Sequence, residues 1–141
     1  MENCKMILVI TFLLGLFFAA GAAAARLSDN TRKIEEISIS VAAGAMSALA
    51  PGAMIHIGII SALAIMLHNI IEGMAVYELG ADSLRQGVIF AIGVGLHNIP
   101  MGMLVYSTLK DETRVKKYTV LFAVMISTFA GGLVMAALGS C

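Results

Sequence analysis

The chain has no tryptophan, only two cysteines and two prolines, and few charges: 13 % of its 141 residues are Asp, Glu, Lys or Arg, and the formal net charge is zero. Each scarcity excludes something. Soluble domains carry about 25 % charged and about 45–50 % apolar residues. Here 60 % of the residues are hydrophobic and the mean hydropathy is +0.94, which excludes an ordinary soluble domain. Balanced charge with no basic patch excludes nucleic acid as a partner. Cys4 and Cys141 stand at opposite ends and make neither a disulfide framework nor a zinc-finger spacing. The His-Glu-x-x-His run of a metalloprotease helix is missing, because Asn follows both His68 and His97. No enzyme is expected, and no organic cofactor.

What the chain does have is long apolar runs. Its charges cluster in residues 26–36, 78–85 and 110–117, and Glu72 is the one acid inside an apolar stretch between those clusters. A bilayer span needs about 20 mostly apolar residues. Residues 6–25, 54–77, 86–108 and 118–139 each supply one. The fold expected is therefore all-α, a polytopic bundle of about four transmembrane helices forming a single membrane domain over residues 1–141. Frequent Gly, Ala and Ser in these runs suit close helix packing in lipid. The first run has a rival reading as a signal peptide, with Lys5 before the apolar stretch and an Ala-rich cleavage region before Arg26. Residues 38–53 are uncharged but weakly hydrophobic and end at Pro51-Gly52; they read as an interfacial or partly re-entrant helix.

Basic residues set the direction of insertion. Arg26, Arg32 and Lys33 lie in the first loop and Lys110, Arg114, Lys116 and Lys117 in the third, against Arg85 alone in the second. The first and third loops are expected on the cytoplasmic side, with both termini outside.

The second and third spans carry a repeat. Residues 67–77 read LHNIIEGMAVY and residues 96–106 read LHNIPMGMLVY, with eight of eleven positions identical. A direct repeat on antiparallel spans implies a pseudo-two-fold axis in the membrane plane, and transporters place substrate sites near such an axis at mid-depth. His68 and Glu72, four apart, share a helix face; His97 and Met101 repeat the spacing, with Asn69 and Asn98 about 100° around the helix. Neutral imidazole and carboxylate suit zinc and similar first-row cations. Ionisable groups in hydrocarbon are functional by default, although a single intramembrane His also serves as a hydrogen-bonding tie between helices. Pro100 frees the carbonyl one turn earlier, near Leu96. Gly73 and Gly102 admit a close helix or a hydrated ion. His56 reads as structural or as a weak exit site, Glu78 and Asp82 as solvated loop acids, and most of the ten methionines as packing.

On these residues the chain resembles the ZIP family of divalent metal transporters. It is most similar to the bacterial branch whose fourth and fifth helices carry His-Asn-x-Pro-Glu-Gly. The counterparts here are His68-Asn69-Ile70-Ile71-Glu72-Gly73 and His97-Asn98-Ile99-Pro100-Met101-Gly102. The resemblance implies a metal site at His68, Glu72 and His97, polar positions of an adjacent second site at Asn69 and Asn98, and movement of Zn²⁺, or Fe²⁺ or Mn²⁺, into the cytoplasm across the cell membrane. Three departures stand out. The chain has four spans where the family has about eight, so it reads as a truncated gene product, a fragment, or a half-size protein that forms a homodimer. Met101 stands where the family has a bridging carboxylate, and a thioether is a soft, poor match for zinc. Thr128, before Phe129-Ala130-Gly131-Gly132, replaces a further carboxylate. A second reading is therefore a degenerate or partial paralogue that binds metal as a regulatory membrane subunit. A purely structural membrane protein would leave the repeated polar motif unexplained.

Overall fold

The computed structural model describes residues 2–27 and 57–139. These form four helices, α1 (Glu2–Leu27), α2 (Ile57–Asp82), α3 (Leu84–Thr108) and α4 (Arg114–Ala137), and no strand among the described residues. All four are long and apolar enough to cross a membrane: Cys4–Leu27, Ala62–Asp82, Leu84–Thr108 and Arg114–Ala137. At 1.5 Å per residue, even the shortest rises about 31 Å, matching a hydrocarbon core of about 30 Å. The chain is an integral, multi-pass helical membrane protein. His56 and residues 38–53 lie outside the described residues.

The boundaries depart from the sequence expectation in one informative place. Residues 78–85, expected as a charged loop, are almost entirely helical: α2 runs on to Asp82, Ser83 alone intervenes, and α3 begins at Leu84. Glu78 and Asp82 are exposed and extend the helix beyond its apolar part. Ser83 adopts an extended conformation (φ −146°, ψ 111°), which reverses the chain. The reversal is this tight because two glycines meet beneath it: a Cβ on Gly87 would lie 2.5 Å from the Gly80 Cα. At the other end of α3, Thr113 caps α4, its side-chain oxygen accepting from the Lys116 amide at 3.5 Å. Cys4 also departs from expectation: it is disulfide-bonded.

The helices alternate in direction and lock in two parallel pairs. In the pair α2–α4, a Cβ on Gly73 would lie 1.9 Å from the Thr128 carbonyl oxygen, and one on Gly131 would lie 2.0 Å from that of Ile70. In the pair α1–α3, the corresponding contacts are Gly102 to the Phe18 oxygen at 2.0 Å and Gly21 to the Ile99 oxygen at 1.9 Å. Asn69 Nδ2 donates to the Val124 carbonyl at 3.4 Å, and Asn98 Nδ2 to that of Leu14 at 3.3 Å. Leu14, Phe18 and Gly21 on α1 thus match Val124, Thr128 and Gly131 on α4, with the same steps of four and three residues. The two repeats interchange along with them, as expected of a pseudo-two-fold axis in the membrane plane.

Two apolar clusters fill the bundle. Ile7, Leu14, Val76, Tyr77, Ala91 and Val94 lie toward the α2–α3 turn. Phe18, Ala22, Ala62, Ile65, Met101, Val105, Leu109, Leu121 and Val124 lie toward the opposite end. Between them, residues 68–72 of α2 and 97–98 of α3 form a polar layer. Residue 72 is midway along Ala62–Asp82, and residue 96 is midway along Leu84–Thr108.

Candidate metal centre

The polar layer brings three of the sequence candidates together. His68 and Glu72 project from one face of α2, and the tight turn returns α3 so that His97 meets them. The Nε2 atoms of His68 and His97 each lie 3.1 Å from the same oxygen, Glu72 Oε1. The two rings are 5.3 Å apart, inclined at 61°. One ligand atom from each of the three residues falls within a group no wider than 4.8 Å, the only such group among the described residues. A tetrahedral zinc shell of ~2.0–2.1 Å bonds sets its donor atoms ~3.3 Å apart. The two 3.1 Å separations are close to that, so a small outward rotamer adjustment opens the group to an ion.

The contacts are short without being well-directed hydrogen bonds. Both Nε2 atoms and Glu72 Oε2 are buried and lack a hydrogen-bond partner of good geometry. The two imidazoles and the carboxylate are thus a tie between α2 and α3 and, by ligand type and spacing, also a group that could hold a divalent cation. Access comes from a cleft of about 380 Å³ lined by Glu72, Ile89, Phe90, Gly93, Val94 and His97. It runs from the site along the first half of α3. Gly93 keeps it open, since a Cβ there would touch nothing within 4 Å.

The remaining candidates stand elsewhere. Asn69 and Asn98 are fully buried and give their amide nitrogens to the backbones of α4 and α1, while each Oδ1 has no hydrogen-bond partner. Their first role is interhelical. Met101 is fully buried in the apolar cluster with Phe18, Ala22, Ala62 and Ile65. Thr128 is fully buried too; its carbonyl meets Gly73 and its hydroxyl lacks a partner. Gly73 and Gly102, read as room for a helix or an ion, receive a helix. Sequence reasoning missed the interhelical role of the two asparagines, yet a signal existed. Asn69 and Gly73, like Asn98 and Gly102, are four apart and so share a face. A small residue beside an amide on one face is a packing signature in lipid.

This assignment carries an expectation. Asn98→Ala removes one interhelical hydrogen bond, which in membrane proteins averages about 0.6 kcal/mol and reaches about 1.7. Unfolding in mixed micelles is expected to show that modest loss while zinc affinity changes by less than threefold. A loss of zinc affinity as large as that of a His97→Ala variant would instead make the asparagine oxygen a metal ligand.

No protein-family profile, curated protein or solved structure matches the chain.

Proposed function

We propose that this protein is a ZIP-like carrier that moves a divalent metal cation, zinc foremost, across the cell membrane into the cytoplasm. The observation that supports the reading most is the convergence of His68, Glu72 and His97 at mid-depth, reached by an open cleft. Two neutral imidazoles and one carboxylate hold a charge of −1 against the cation's +2. The complex keeps a net charge of +1 in a low-dielectric setting, which favours binding that is reversible over binding that is permanent. Iron(II) and manganese(II) suit the same donors less selectively.

The protein is further proposed to work as a homodimer. The site's side chains keep 14–26 % of their surface open, on a bundle face that also exposes Leu63, Leu67, Ile71, Ile92 and Leu96. Ionisable groups facing hydrocarbon are costly unless other protein covers them. A second copy applied to this face would bring the span number to eight.

A second reading is a metal-binding subunit without transport of its own. The apolar burial of Met101 and the hydroxyl at Thr128, where the resemblance places carboxylates, favour it.

Zinc uptake into proteoliposomes containing the purified chain separates these readings. Saturable uptake that a His68→Ala/Glu72→Ala variant loses is the expected result. Zinc binding without uptake would select the subunit reading. Equal uptake in both proteins would remove the site from the mechanism.

A further inference from the structure

At the end of the bundle away from the α2–α3 turn, α1, α3 and α4 enclose a second cavity of about 470 Å³. It is separate from the metal centre and unused by the proposed transport. The volume lies within the range of about 300–1,000 Å³ typical of ligand sites. Its floor is apolar: Phe18, Ala22, Leu121 and Met125 line it, and small alanines on α1 leave the room. Its mouth is polar. Arg26 lies in the last turn of α1, Tyr106 in the last turn of α3 and Tyr118 near the start of α4, all at the rim.

Among the described residues, the charged side chains nearest the mouth are basic. Arg26 is exposed and has no ion pair among the described residues. Lys117 places its Nζ 5.2 Å from the centre of the Tyr106 ring, anchored by a 2.8 Å hydrogen bond to the Lys110 carbonyl. Among the described residues, no acid lines the cavity. Phenol rings at a helix end mark the membrane–water boundary. An apolar trough that begins at that boundary, with a guanidinium and an ammonium at its lip, is complementary to a molecule with a hydrocarbon tail and an anionic head.

We infer that this cavity binds one anionic phospholipid, with an acyl chain along Phe18, Ala22 and Leu121 and the phosphate on the Arg26 guanidinium. The planar guanidinium suits two oxygens of one phosphate. Basic pockets between transmembrane helices at the lipid surface recognise such heads. The half-open side of the cavity, where Phe122 and Tyr118 are exposed, lets the lipid enter laterally from the bilayer. Free phosphate would satisfy the lip but leave the trough unfilled.

The test uses the full chain purified in mild detergent and supplied with phosphatidylglycerol or phosphatidylcholine of the same acyl chains. Bound lipid is counted by native mass spectrometry, and thermal unfolding is followed in parallel. One phosphatidylglycerol retained per chain, in at least fivefold preference over phosphatidylcholine, is the expected result, with a raised unfolding temperature. Arg26→Gln should reduce that preference about fivefold, the worth of one cation facing an anionic lipid surface. Ala23→Leu, at the exposed edge of the trough, should reduce retention of both lipids. Both variants keep the metal centre, so retained zinc binding shows that each is folded. Equal retention of the two lipids by the wild type would overturn the inference. So would phosphatidylglycerol retention unchanged in both variants. Millimolar inorganic phosphate that stabilises the protein as much as phosphatidylglycerol would also overturn it, by showing an anion site that ignores the acyl chain.

Discussion

Glu72→Gln is expected to weaken zinc binding by more than about 100-fold in titration calorimetry in detergent, and to do so more than His68→Ala or His97→Ala. The ranking follows from charge. Glu72 is the only carboxylate in the group, and both histidines bring their Nε2 atoms to one of its oxygens at 3.1 Å. Its replacement would leave a bound dication with no anionic ligand inside the bilayer. Loss of a residue that merely supports a ligand costs about 10–100-fold in metal affinity, so loss of the sole anionic ligand exceeds that, at about 3 kcal/mol or more. Each histidine variant keeps the carboxylate and one imidazole, and water can complete the shell. Glutamine keeps the shape of glutamate, so the change isolates charge from packing. Wild-type affinity in the Gln variant would refute the assignment of these three residues as a metal site.

The second large effect falls on stability. A methyl group on Gly73 would lie 1.9 Å from the Thr128 carbonyl oxygen, and one on Gly102 would lie 2.0 Å from that of Phe18. A backbone carbonyl in a helix cannot swing aside as a side chain can. Gly73→Ala and Gly102→Ala must each push a helix pair apart, with a cost at or above the upper end of the usual 1–3 kcal/mol for overpacking. Gly93→Ala gives the contrast. Nothing lies within 4 Å of its added methyl, and replacing a mid-helix glycine by alanine gains about 0.5–1 kcal/mol. Unfolding in mixed micelles is expected to show two strong losses and one small gain. Three similar values would mean that the glycines do not set the helix distances.

Much of this was legible in the sequence, and the parts that were not share a cause. Apolar run length announced four spans, because a membrane imposes a minimum length on any helix that crosses it. The repeat announced which polar side chains meet, because His68, Glu72 and His97 are costly in lipid unless they are brought together. Glu78 and Asp82 misled, because charge says that a residue leaves the hydrocarbon and does not say that the helix has stopped. Asn69 and Asn98 read as second-site positions through the resemblance alone; only the fold showed that each amide donor is engaged by a neighbouring backbone. The match between α1 and α4 was invisible for a different reason. Phe18 and Thr128 share no chemistry, and what they have in common is a carbonyl presented to a glycine.

The glycine contacts have a mechanical consequence for the ion. They bind α2 to α4 and α1 to α3 through backbone atoms, while α2 and α3 touch glycine to glycine only near their turn. His68 and Glu72 ride on one of these units and His97 on the other. Denticity is therefore a readout of alignment across the seam between the two units. With the units in register, an ion held there would meet three donors; were the units to tilt apart, it would be left with two. Affinity can change by orders of magnitude in that way with no ligand protonated, replaced or removed.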